Sequence, residues 1–413
     1  MTSENKGALS HIKVLDLSRV LAGPWCTQML ADMGADVIKV ERPVVGDDTR
    51  HWGPPFLQDA DGNNTKEASY FAACNRNKRS MTIDMSKPEG QELIRTLALQ
   101  SDIVVENFKV GGLTQYGLDY ASLKQLNPKL IYCSVTGFGQ DGPYAERAGY
   151  DLMIQAMTGM MSITGKAGGE PMRVGVAIID VFTGVYACSA ILAALEVRHR
   201  TGQGQCIDMA LLDVGMAILA NQSAGFLNTG KVPMRQGNSH PSLAPYQDFE
   251  TADGAMLLAI GNDGQFARFC EVAGHAEWAQ DARFARNTAR VTNRVALVES
   301  MLAATRKRTT AEWIAALEDK AVPCGPINDI GQAFADAQVQ SRGLRVSQPT
   351  DAAVAAQTGI ERMDGVASPL RLSENPPVLH RPPPMLGEHT DEVLAQLGLD
   401  AGQIAGLRAR SVV

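Results

Sequence analysis

The sequence predicts an α/β protein whose N-terminal half is a doubly wound parallel sheet. Two observations carry this. Short β-like runs alternate with helical ones from residue 11 onward, and the first strand, helix and strand close within about thirty residues, the span of one βαβ unit. The run "HIKVLDL" is the first strand. "AGPWCTQMLADMG" is the first helix, closing on Gly34, and "ADVIKVER" is the second strand. "EGQELIRTLALQ", preceded by Pro88, is helical, "SDIVVENF" is a strand, and "KLIYCSVTGFG" is a buried strand running into glycines. The turn after the first strand, "SRVLAGP", lacks the glycine spacing of the dinucleotide fingerprint, so a nicotinamide or flavin site is poorly supported.

From Val181 the apolar residues Val181, Phe182, Val185, Cys188, Ile191, Leu192 and Leu195 keep helical spacing, and Gly202 and Gly204 follow the basic last turn. This puts Asp180 at the N-cap or first turn. After Asn228 the character changes. "YQDFETADGAMLLAIGND" reads as a hairpin about Asp253-Gly254, and charged helical segments continue to about Lys320, marking a smaller α+β domain. The predicted boundaries divide the chain into 1–225, 226–330 and 331–413. The proline-rich "ENPPVLHRPPPMLGEHTDEVL" favours an extended crossing chain, with a final helix from near Thr390.

The composition excludes several classes of function. A chain of 413 residues with net charge −7 has no global pull towards nucleic acid or anionic membranes, so any phosphate site is local. The cysteines Cys26, Cys74, Cys133, Cys188, Cys206, Cys270 and Cys324 are odd in number, scattered and without a CxxC pair, which argues against a disulfide framework or a zinc site. The polar "MTSENKGALS" lacks a leader pattern, and no uninterrupted apolar run is long enough to span a bilayer. The expected compartment is the cytoplasm.

Several residues admit both a bland and a functional reading. Asp180 suits a helix cap, since a carboxylate accepts free amide donors and complements the dipole. The same location could keep it ionised as a covalent nucleophile beside amides able to hold an oxyanion. Asn75 to Ser80, "NRNKRS", is either a solvated basic run or a phosphate contact. Arg42 and Lys109 each follow a strand, at the carboxyl edge where doubly wound sheets bind ligands. His240 sits in a loop, as structural histidines often do. No cysteine–histidine pair suggests a thiolate nucleophile.

Together, "VLDLSRVLAGPWCTQMLADMGADVIKVERP", "NKRSMTIDM", "VENF", "AGYD", "AILAAL", "RHRTGQGQ", "VPCGPIN" and "PPPMLGEHTDEVL" resemble the family III CoA-transferases, in order and over nearly the whole chain. The resemblance implies a Rossmann-like large domain built from both chain ends, a smaller domain between, and an interlocked homodimer. It implies that Asp180, in "VAIIDVFTG", is the nucleophile of a ping-pong reaction. It further implies acyl-CoA and a small carboxylic acid as substrates, with no metal or tightly bound cofactor expected. Family contacts to CoA fall here on Leu21, Ala22, Arg42, Asp84, Met85, Asn107, Phe108, Lys109, Tyr150 and Asp151.

The sequence departs from parts of the family. Gln115 and Tyr116 stand in "LTQYG" where some members carry an Arg, and the glycine run of the formyl-CoA enzymes is absent. The α-methylacyl-CoA racemases, an alternative in the same superfamily, pair their Asp with a His. Here that position is Tyr150, and a phenol of ordinary pKa near 10 exchanges α-protons poorly at neutrality. A non-catalytic CoA-binding protein is the alternative of another class. "VERPVVGDDTRHWGPPF", "MTGMMSITG", "HPSLAPYQDF" and "RPPPMLGEHT" look most like the dicarboxylate (succinyl-CoA:glutarate) branch. Such an acceptor needs its remote carboxylate held, with Arg76, Arg173, Arg235 and His240 as candidates.

Overall fold

A computed structural model describes residues 6–413, which divide into two compact units. The first comprises the chain up to Thr158, Gly175–Ser223 and Gln338–Val413; the second comprises Gly159–Val174 and Ala224–Ala337. Residues 159–174, expected in the large domain, therefore fold with the second unit. The mixed α/β architecture has a parallel central sheet.

The first unit opens with β1 (Lys13–Asp16), α1 (Ala22–Asp32) and β2 (Asp36–Glu41). Then come β3 (Lys78–Thr82), α2 (Pro88–Leu99), β4 (Ile103–Glu106) and β5 (Ile131–Thr136). Helices α3 (Asp151–Met157) and α4 (Ile178–Thr201) precede β6 (Cys206–Ala210). All six strands pair in parallel in the order β3-β2-β1-β4-β5-β6. The order reverses between β1 and β4, so the chain leaves these neighbouring strands towards opposite edges and opens a crevice at their carboxyl ends.

Helix α4 begins three residues before the predicted Val181 and ends on Gly202 in the left-handed conformation (φ 71°), which a side chain would strain. By length and composition α4 could cross a membrane, against the expectation that no run here could. It is instead packed on α1. A Cβ at Gly184 would lie 2.8 Å from the Ala22 carbonyl oxygen and 2.9 Å from Trp25 Cβ. Gly184→Val is accordingly expected to destabilise by about 1–3 kcal/mol through overpacking, read as a lower urea midpoint with an unchanged m-value.

The second unit carries β7 (Tyr246–Glu250) and β8 (Ala255–Ala259), the predicted hairpin, with β9 (Cys324–Pro326) antiparallel to β8. Helices α5 (Asp263–Ala273), α6 (Arg294–Thr305) and α7 (Thr310–Asp319) complete a core of Phe249, Met256, Phe266, Leu297 and Trp313.

Back in the first unit, the proline-rich segment runs without helix or strand from residue 367 to 389. Asn77 ties it down, donating to the Val378 carbonyl (2.9 Å) and accepting from the His380 amide (2.7 Å). Two helices follow where one was expected: α8 (Thr390–Gln396), and α9 (Ala401–Ala409) behind a capping box at Asp400. Their Val393, Leu394, Ile404 and Leu407 pack with Leu15, Val40, Met81, Ile94 and Val104 in one core.

Candidate active site

The carboxyl ends of the first unit's strands surround a cleft of about 1090 Å³. Leu21 and Ala22 line it after β1, Arg42 after β2, and Asp84 and Met85 after β3. Asn107, Phe108 and Lys109 line it after β4, with Tyr150 and Asp180 beyond β5. Trp52, Gln115, Tyr116 and Arg147 complete much of the wall.

Asp180 lies in the first turn of α4, whose N-cap is Ala177. The capping is done by Asp151: its Oδ2 accepts the backbone N–H of Ile179 at 2.8 Å and of Asp180 at 3.3 Å. Gln155 donates to Asp151 Oδ1 at 2.5 Å. Since Asp151 already satisfies these donors, Asp180 projects without a cap bond of its own. Burial and then the Asp151 carboxylate push Asp180 up to about 7. This corrects the expectation that the helix terminus keeps it ionised; at this site desolvation and a like charge exceed the dipole. The Tyr70 phenol is pushed up to about 12, first by burial and then by Asp180.

Beneath the turn after β1 lies a buried ion cluster. Lys78, from the basic run, and Lys39, within β2, are fully buried. Lys78 Nζ meets Asp16 at 3.1 Å and donates to the Pro24 carbonyl and to Asn75 Oδ1. Lys39 Nζ meets Asp47 at 2.9 Å and donates to the Ser18 carbonyl at 2.8 Å. Both Asp47 oxygens in turn accept the Val20 amide at 3.2 Å. Val20 has φ 70°, a strained conformation for a β-branched residue that its surroundings must impose. Asn107 clamps the same turn from above, accepting the Arg19 amide (2.8 Å) and donating to the Arg19 carbonyl (2.7 Å). The cluster thus fixes a strained cleft wall.

A cleft of this size at strand carboxyl ends, with one unpaired acid at a helix start, agrees with what comparison with known proteins finds. Residues 9–390 match the model of CoA-transferase family III. The chain belongs to CoA-transferase family III. The succinate–glutarate CoA-transferase of Agrobacterium fabrum is 54% identical to it over 392 residues, 95% of this chain and 96% of its own. The succinyl-CoA:glutarate CoA-transferase of Mus musculus is 41% identical over 408 residues, 98% of this chain and 90% of its own. The crystal structure of a CAIB/BAIF family protein from Brucella suis superimposes with a TM-score of 0.83 at 49% identity, covering 95% of this chain and all of that one.

In this CoA-transferase, two candidate CoA contacts have side chains already committed to backbone groups. Asp151, expected from the resemblance to touch CoA, turns to the amides of α4, and the Asn107 side-chain amide is spent on Arg19. The "NRNKRS" run is neither solvated nor a phosphate contact. Lys78 and Arg79 sit within β3, and Arg79 pairs with Asp36 at 2.6 Å and Glu392 at 2.9 Å. Arg76, a candidate for the remote carboxylate, is held by Asp32 at 2.5 Å and donates to the Val366 carbonyl. The other three candidates belong to the second unit. There Arg235 donates to the carbonyls of Gly169 (3.1 Å) and Ser162 (2.8 Å), His240 Nδ1 accepts the Ser242 amide (3.0 Å), and Arg173 is exposed. Sequence reasoning missed Trp52, Tyr70 and Arg147. Arg147 directly precedes the quoted "AGYD", so a scan for cations flanking that motif would have found it; nothing in the sequence marks Tyr70.

Proposed function

We propose that this enzyme transfers CoA from succinyl-CoA to a short dicarboxylate such as glutarate, with Asp180 as the covalent nucleophile. The carrying observation is the desolvated carboxylate of Asp180 in the wall of the large cleft, which unlike the buried Glu41 and Asp47 of the same wall has no ion-pair partner among the described residues. The names of the similar enzymes support the substrate pair.

The ionised Asp180 oxygen attacks the thioester carbonyl of the donor and CoA thiolate leaves, giving a mixed anhydride. The thiolate then attacks the Asp180 acyl carbon, expelling succinate and forming an aspartyl-CoA thioester. The acceptor carboxylate displaces CoA thiolate to give a second anhydride. Attack of the thiolate on the acceptor's acyl carbon releases the new acyl-CoA and restores the Asp180 carboxylate. Burial of Asp180 favours this course by limiting the water that would hydrolyse an anhydride, and poor solvation leaves its ionised form more nucleophilic. Arg42 and Lys109 offer charged donors for the phosphates of CoA, alongside Leu21, Ala22, Asp84, Met85, Phe108 and Tyr150.

The strand order supports a Rossmann-like reading of the large unit. The exposed apolar side chains Phe182, Tyr186 and Leu192 along α4 support a homodimer, since they repeat on a single helix. Seven free cysteines, five of them buried, suit a reducing cytoplasm. The test is to incubate the enzyme with succinyl-CoA and add hydroxylamine. Mass spectrometry is expected to find a hydroxamate on the peptide carrying Asp180. An unlabelled Asp180 under conditions that consume succinyl-CoA would overturn the covalent route. Deuterium uptake at the α-carbon of a 2-methylacyl-CoA would favour the racemase reading instead.

A further inference from the structure

Among the cations lining the cleft, Arg147 is held in a distinctive way. Its guanidinium lies over two rings, 4.4 Å from the centroid of Tyr144 and 5.2 Å from that of Phe138. The two rings meet each other edge to face at 5.5 Å. A cation–π contact makes no hydrogen bond and so leaves the guanidinium N–H donors for an oxyanion. No carboxylate among the described residues forms an ion pair with it, as none does with Arg42 or Lys109, whereas Arg19 in the same wall pairs with Asp48 at 2.7 Å.

The loop that carries it is fixed. The Arg147 amide donates to the Tyr144 carbonyl at 2.9 Å. Gly149 touches Gly137 at the end of β5 so closely that a Cβ on Gly149 would lie 2.4 Å from Gly137 Cα. Four residues beyond Arg147, Asp151 caps the helix of Asp180. Arg147 and Asp180 line one cleft, and Asp151 ties their two segments together through the amides at the start of α4. A stacked, unpaired and preorganised cation binds an anion with little ordering cost.

We propose that Arg147 is a substrate-specificity residue, which grips the paired oxygens of an anionic group on a substrate at a point remote from the acyl carbon attacked by Asp180. The proposal rests on the CoA-transfer reading above. Two groups share the required chemistry: the free carboxylate of a dicarboxylic acid and a phosphate of CoA.

The experiment compares Arg147→Met with the unaltered enzyme by calorimetric titration, at equilibrium and without turnover. The ligands are CoA, pantetheine, glutarate and the monocarboxylate valerate; KM values for succinyl-CoA and glutarate are measured in parallel. A carboxylate grip weakens glutarate tenfold or more and leaves valerate unchanged. A phosphate grip weakens CoA to that extent and leaves pantetheine unchanged. Either result supports the proposal, and Arg147→Lys, which keeps the charge and loses the planar fork, is expected to fall between. Equal affinities for both CoA and glutarate, or a fall in kcat alone, overturn it and reduce Arg147 to a loop-packing residue. Arg147→Gln serves if the Met variant fails to fold. An unaltered enzyme that binds these ligands but transfers no CoA would refute the functional reading alone, because the titrations do not need turnover.

Discussion

Asp180→Asn is expected to lower kcat/KM by about 10⁴-fold or more, the scale seen when a covalent nucleophile is removed, while raising thermal stability. The two effects have one cause. Asp180 titrates near 7 in the folded protein against 3.8 for an ordinary aspartate, so between those values the folded state holds a proton that the unfolded state has released. Stability from this group is therefore fully present below about 4 and is lost as pH rises towards and through 7. The neutral Asn avoids that loss. Its stabilising effect should grow from pH 4 to 7, then level off, and thermal melts across this range measure it. In the unaltered enzyme the acid limb of kcat/KM should rise with pH through about 7, as the attacking carboxylate loses its proton. Normal turnover by an Asn variant shown by mass spectrometry to be undeamidated would refute the assignment, and a melting difference independent of pH would refute its electrostatic basis.

Lys78→Met is expected to destabilise the fold by about 3–5 kcal/mol, the cost of leaving a buried partner charge uncompensated. Burial alone would raise Asp16, but the ammonium groups of Lys78 and then Lys39 outweigh it and hold the carboxyl at about 2. The Asp16 contribution is present above 3.8 and lost as pH falls through about 2. Removing Lys78 should shift that loss to higher pH. Urea unfolding between pH 3 and 7 tests this, and pairing Lys78→Met with Asp16→Asn should recover part of the loss. If Lys78→Met unfolds at the unaltered midpoint, the cluster does not support the fold. Because Lys39 and Asp47 of the same cluster hold the strained Val20 amide, loss of Lys78 should also weaken acyl-CoA binding.

Much of the fold was legible because its cause is local. The apolar runs of β1, β2, β4 and β5 are short, with Gly34 shortly before β2 and Gly137 directly after β5, and α4 repeats apolar residues at helical spacing before Gly202. The sheet order follows from handed crossovers acting on those elements. The capping box of α9 at Asp400 is equally local, written in the sequence as "DAGQ". The "NRNKRS" run misled, since charge is ordinarily a surface signal. Its counter-charges Asp16, Asp36 and Glu392 lie 62, 43 and 313 residues away, beyond any local pattern.

At the candidate site the division is similar. By itself the sequence determined the strands and helices, the position of Asp180 at a helix start, and, through its motifs, the family. Those depend on neighbours along the chain or on an ordered set of residues. Only the tertiary structure decided that Asp151 caps that helix, that burial raises Asp180 to about 7, that Lys39 and Lys78 serve the interior, and that Arg147 faces the cleft on two rings. Desolvation and Coulomb interaction depend on distance in space and on exclusion of water, and neither quantity exists until the chain has folded.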